Sequence, residues 1–251
     1  MILFARFMQV YKRKKLPEIA DLWTVCGQPQ AEPVVENNMN DVNLPGAGRP
    51  SQNLSEKAPE ILDEEQCLVF ICSDKTSVPH QIGFQRISKS SLDSLTPSTF
   101  WTAPEKVIEM NGHIVGVALS PDQQRLYVNV RSWPENCVPD LQEPPCIATQ
   151  IELKTICLAT LSILPISYRG HQGFTASDSA FYLYLDVSAS LIGSGSEDKF
   201  GYVWDRYYGC LVGKLPHEQC VNSVAFHPLT EEICATASDD HTIKIWRAAA
   251  I

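Results

Sequence analysis

Apolar and polar positions alternate over short runs that turn residues separate, and no stretch of any length sustains a 3.6-residue apolar period. The clearest runs are CLVFICSD (67–74), HIVGVALSPD (113–122), RLYVNVRSW (125–133), FYLYLDV (181–187), CVNSVAFHP (220–228) and TIKIW (242–246). Many short strands at even spacing predict an all-β sandwich, barrel or propeller. Two stretches break the pattern. Residues 26–60 are rich in Pro, Asn, Gly and Glu and poor in aromatics, so they cannot bury enough apolar area to offset ordering, and they read as a long disordered acidic loop. Ser88–Pro104 reads as a Ser/Thr-rich loop. Residues 1–25 then supply the first strands and residues 61–251 the remainder of the fold.

A repeat decides among the three architectures. GSGSEDKFGYVWD (193–205) aligns without a gap on ATASDDHTIKIWR (235–247), placing Ser196 on Ser238, Asp198 on Asp240 and Trp204 on Trp246. Each unit is opened by a histidine, in Gly170-His171 and Pro216-His217, and a more decayed unit begins at Gly112-His113. A period of about 40–45 residues with a G-H…W-D signature is that of WD repeats, which build propeller blades of four strands. The expected fold is therefore an all-β WD-repeat β-propeller, partial, with about four blades. Such a partial ring has open edges, and the sequence reads as a fragment, a truncated form or a short isoform.

In each good repeat a histidine, a hydroxyl and an aspartate are expected to converge: His171, Ser194 and Asp198, then His217, Thr236 and Asp240. These residue types also make up a hydrolase triad. The similarity to WD repeats implies a structural tetrad instead, with His donating to Asp, the hydroxyl meeting the His, and Trp204 or Trp246 closing the chain. No G-x-S-x-G elbow, P-loop, G-x-G-x-x-G or H-E-x-x-H motif occurs, leaving a nucleophile without its setting. The expectation is no enzyme, no catalytic residue, no metal and no cofactor.

Charge narrows the partners. The net charge is −9, and residues 26–65 hold eight carboxylates against Arg49 and Lys57, which argues against a nucleic-acid surface. The apolar run at the N-terminus is split by Arg6 and too short to span a bilayer, so neither a secretory signal nor a membrane anchor is expected; Lys12–Lys15 reads as a solvated turn or a nuclear import signal. Nine scattered cysteines without a C-x-x-C pair suit a reducing compartment, the cytosol and also the nucleus.

The phrases DLWTVCG (21–27), LYVNVRSWP (126–134), GSEDKFGYVWDRYYG (195–209) and TASDDHTIKIWR (236–247) resemble the C-terminal half of the F-box and WD-repeat protein family. The resemblance implies substrate receptors of cullin-RING (SCF) ubiquitin ligases, in which an F-box docks on the Skp adaptor and the propeller holds the protein to be degraded. No F-box pattern is seen in residues 1–60, and neither Trp204-Asp205-Arg206 nor Trp246-Arg247 fits the W-D-x-R motif of cullin-four recruitment. A WD-repeat scaffold unconnected to ubiquitin is the alternative. Partners are proteins, with no small-molecule substrate, and the expected contact face carries Glu197 and Asp239 beside Cys220 and Asn222. There the two carboxylates are expected to be exposed and to attract Lys or Arg.

Overall fold

The computed structural model describes residues 9–12, 66–74, 76–87, 104–138 and 144–248. The expected loops at 26–60 and most of 88–104 lie outside the described residues, as do most of residues 1–25. What is described is strand, turn and bend, with no helix among the described residues.

Four antiparallel sheets follow one another along the chain. The first is β1 (Gln9–Lys12), β2 (Gln66–Cys72), β3 (Gln81–Ile87) and β4 (Lys106–Glu109). The second is β5 (Gly112–Leu119), β6 (Arg125–Ser132), β7 (Gln150–Cys157) and β8 (Ser162–Gln172). The third is β9 (Leu185–Val187), β10 (Leu191–Ser194), β11 (Phe200–Asp205) and β12 (Leu211–Pro216). The fourth has three strands, β13 (Val221–Phe226), β14 (Ile233–Ser238) and β15 (Ile243–Arg247). Every sheet is a meander in which each strand pairs with the next in sequence. Four such sheets packed face to face are the blades of an unclosed partial propeller.

The expected strand at 181–187 is shorter than its apolar pattern, because only Leu185–Val187 pairs within its sheet. Its first residues are used between sheets. Leu183 N–H donates to Val115 O and Tyr184 N–H to Asn222 O, at 2.7 and 2.8 Å, stitching β9 to the first strands of both neighbouring sheets. Glycine permits this approach: a Cβ on Gly116 would collide with the Leu183 carbonyl oxygen, and one on Gly195 with that of Val221.

Strand β6 explains why the alternation rule gives way here. Leu126 through Arg131 are all buried, because a blade between two others packs both faces. Leu126, Val128 and Val130 join Val69, Ile82, Phe84 and Met110 of the first blade in one apolar cluster. Tyr127, on the other face, packs with Tyr168, Ile192, Tyr202 and Trp204. The polar side chains of Asn129 and Arg131 share that second face, Asn129 bonding Ser194 of the third blade and Arg131 the Thr175 carbonyl in the connection to it. The fourth sheet is covered on one face only. Ile243 and Ile245 of β15 are 74% and 69% exposed. No helix among the described residues is long and apolar enough to cross a membrane.

Candidate functional site

The fourth blade forms the hydrogen-bonded chain expected of its repeat. His217 Nδ1 lies 2.8 Å from Asp240 Oδ2 and its Nε2 lies 2.7 Å from Thr236 Oγ1. Trp246 Nε1 donates to the same hydroxyl oxygen at 2.8 Å. One assignment satisfies every atom: Nδ1–H donates to the carboxylate, Thr236 donates to Nε2, and the indole N–H donates to Thr236. Thr236 is 1% exposed, so these bonds satisfy groups that water cannot reach. Hydrogen bonds from Thr242 and the Glu218 backbone hold the Asp240 carboxyl well below the usual carboxylate range, and His217 adds to this.

The third blade does not form the same chain, which corrects the expectation for His171, Ser194, Asp198 and Trp204. His171 Nε2 bonds Asn129 Oδ1 of β6 at 3.0 Å, and the Asn129 amide N–H donates to Ser194 Oγ at 2.8 Å. Asp198 accepts from the Tyr202 phenol, and Trp204 Nε1 donates to the Arg169 carbonyl. The position matching Tyr202 in the fourth blade is Lys244, whose ammonium reaches the Pro216 carbonyl and leaves Asp240 to the histidine. A phenol of the third blade takes the aspartate, and the Asn129 amide takes the histidine within the second blade, where β8 carries His171. His171 Nδ1 is buried without a partner, and burial pushes this imidazole down to about 3. His171, Ser194 and Asp198 therefore have no triad geometry: the Ser194 hydroxyl is fully buried and faces an amide.

The structure gathers the four expected face residues. Cys220 Sγ lies 3.3 Å from Asn222 Oδ1, the Asn222 amide donates to Asp239 Oδ1, and Asp239 N–H donates to Cys220 O. Burial, then Asp239, Glu197 and Asp198, push the Cys220 thiol up to about 12, which keeps it an inert thiol. Asp239 is exposed as expected. Glu197 is not, and here the expectation is corrected: its side chain is 12% exposed. Its Oε2 accepts from Phe174 N–H, Thr175 N–H and Thr175 Oγ1, each at 2.8 Å. Arg131, 2% exposed, completes the arrangement from β6, donating to Ala148 O at 2.9 Å and Thr175 O at 2.6 Å, with Glu197 Oε1 3.9 Å away. Arg131 and Thr175 escape a sequence reading, although a lone arginine inside LYVNVRSW is a signal. A buried guanidinium requires acceptors.

Two further polar clusters are internally satisfied. Arg206, 7% exposed, donates to Tyr127 Oη and to Asp122 Oδ2, each at 2.9 Å, and to the Ala189 carbonyl. The arginine of the Trp-Asp-Arg sequence thus ties the third blade to the second. Ligand atoms of Asp74, His80 and Glu109 lie within 4.8 Å of one another. The Gln81 amide nitrogen sits between the two carboxylates, donating to Asp74 at 2.8 Å and Glu109 at 2.7 Å, and supplies the positive end of a dipole where a cation would go.

Successive four-stranded antiparallel meanders with a Trp–Thr–His–Asp chain at the turn define a WD-repeat protein, here a partial β-propeller. Residues 209–247 match the family model of the WD domain, G-beta repeat. That match begins at the turn before β12 and ends with β15, so repeat and blade are offset by one strand. The chain matches the WD part of the F-box/WD-repeat family. It is 41% identical over 207 residues to F-box/WD repeat-containing protein 5 of Rattus norvegicus, covering 78% of this chain and 36% of that protein. It is 37% identical over 231 residues to the Homo sapiens protein of the same name, covering 88% and 40%. The chain therefore spans about two fifths of the length of these relatives or slightly less. Among solved structures, the WD40 repeats of RRP9 align with a TM-score of 0.46 and 18% identity, over 72% of this chain and 44% of that one.

Proposed function

We propose that this chain is the substrate-recognition module of a cullin-RING ubiquitin ligase, holding target proteins for ubiquitination and proteasomal degradation and doing no chemistry itself. The observation that carries this reading is 37–41% identity, over most of the chain, to F-box/WD repeat-containing protein 5. The geometry suits a holding role, since Phe174 and Thr175 present a loop whose backbone is fixed by Glu197 and Arg131. Recognition favours exposed side chains on a stiff scaffold. A buried Ser194 and an imidazole turned to Asn129 support the non-enzymatic part of the reading. The cytosol, with access to the nucleus, is the compartment this role requires.

The second reading is a WD-repeat scaffold without ubiquitin. It is favoured by Arg206, whose guanidinium is buried between blades and so is withdrawn from any adaptor. The two separate by immunoprecipitation of the natural protein from cells, with and without proteasome inhibition. The ligase reading expects a cullin and the Skp adaptor in the precipitate, and a bound protein that accumulates on inhibition. A precipitate that holds protein partners but never a cullin leaves the scaffold.

A further inference from the structure

The loops at the tetrad end of the third and fourth blades carry exposed aromatic surface. Phe174 is 56% exposed, Phe181 39% and Tyr184 45%. Phe174 and Tyr184 border one contiguous region. Phe174 N–H is bonded to Glu197; the adjoining Ser196 exchanges backbone hydrogen bonds with Val221, which lies between Cys220 and Asn222, and the Asn222 carbonyl holds Tyr184 N–H. The Tyr184 ring lies 6.4 Å from that of Tyr182. Exposed aromatic groups gathered in one place are costly in water and mark contact sites.

The same loops are acidic. Residues 173–184, 195–199, 217–222 and 239–242 hold Asp178, Glu197, Asp198, Glu218, Asp239 and Asp240 against Lys199. Three of these carboxylates are engaged internally, on the 173–175 loop, on Tyr202 and on His217. Asp178, Glu218 and Asp239 remain exposed. Phosphate backbones and other anionic partners are repelled by such a rim, whereas Lys and Arg are attracted.

We propose that this face docks an extended, basic protein segment, with Phe174 and Tyr184 taking its apolar side chains and Asp178, Glu218 and Asp239 pairing its Lys and Arg. The proposal rests on the protein-binding reading and names the partner class for it. Preorganisation adds to the fit. Arg131 and Glu197 fix the loop that carries Phe174 before any partner arrives, so little ordering entropy is lost on binding.

The test is panning of random dodecapeptides displayed on phage against the full chain, followed by fluorescence anisotropy of the enriched peptides. Enriched sequences are expected to carry net positive charge and at least one aliphatic or aromatic residue, and their affinity to fall as salt rises. Phe174→Ser combined with Asp239→Lys should weaken them by about tenfold or more, with the melting temperature unchanged because both side chains are exposed. Tyr207→Ser with Tyr208→Ser, at the opposite end of the blade, should leave affinity unchanged. Neutral or acidic enriched peptides, or basic ones indifferent to the Phe174/Asp239 pair, overturn this docking face while leaving protein binding intact. A chain that enriches no peptide above background overturns the protein-binding reading along with it.

Discussion

His171 Nε2, near the end of β8, lies 3.0 Å from Oδ1 of Asn129 on β6 of the same blade, and the same amide donates to Ser194 of the next blade. One amide therefore holds a buried imidazole of its own blade and a buried hydroxyl of the next, and the repeat's own aspartate, Asp198, is left to Tyr202. Asn129→Ala should destabilise by about 2–3 kcal/mol, because it strands a buried imidazole and a buried hydroxyl. Asp198→Asn, which keeps an acceptor for the phenol, should cost under about 1 kcal/mol. Urea titration of both variants checks the order; a tetrad in this blade requires the reverse.

The two repeat tryptophans are not equivalent. Trp204 is 1% exposed and packs against Tyr168, Tyr202 and His171, whereas Trp246 is half-buried on the last strand. Trp204→Ala should cost about 3–5 kcal/mol, the range for deleting a buried aromatic. Trp246→Ala should cost roughly 1–3 kcal/mol, most of it from the hydrogen bond lost by Thr236. Equal melting temperatures for the two variants would contradict the packing described.

Charge reversal separates the two face carboxylates. Glu197→Lys places a cation beside the buried Arg131 and removes three hydrogen bonds from the 173–175 loop, and should destabilise by roughly 2–4 kcal/mol. Asp239→Lys, on an exposed turn, should stay within about 0.5 kcal/mol. Chemical denaturation measures both, and a silent Glu197→Lys would show that the loop is not clasped.

Two buried imidazoles set an acid limit. Burial pushes His171 down to about 3; burial, then Arg131 and His80, push His113 down to about 4. Both values lie below the unfolded value of 6.5, so between them the unfolded chain binds more protons than the folded one. Their contribution is complete above pH 6.5 and is lost as pH falls toward 3–4, at up to about 1.4 kcal/mol per pH unit for each group. Thermal melts should show a lower melting temperature at pH 5 than at pH 7.5, with His171→Gln flattening the profile. Identical melts at the two pH values would rule out neutral, desolvated imidazoles.

Ser194 should resist a fluorophosphonate probe in the folded protein, since its hydroxyl is fully buried and receives its hydrogen bond from Asn129. Mass spectrometry reads the outcome directly. Labelling at Ser194 without unfolding would reopen the hydrolase reading.

What the sequence determined by itself is the local and the repeated. Alternation and turn residues specify short strands, and the ungapped match of 193–205 on 235–247 specifies a blade and its hydrogen-bonded turn. In the fourth blade His217, Thr236, Asp240 and Trp246 lie within one repeat, and their meeting follows from strand pairing and a tight turn. Cys220, Asn222 and Asp239 come together for the same reason. The tertiary structure decided whatever depends on which blade stands next door. Nothing in repeat spacing tells that Asn129 reaches Ser194, that Arg131 and Glu197 close on the 173–175 loop, or that Arg206 is sealed against Tyr127 and Asp122. Those pairings join residues far apart in sequence across an inter-blade face, where a desolvated polar group takes whichever partner the neighbouring sheet presents.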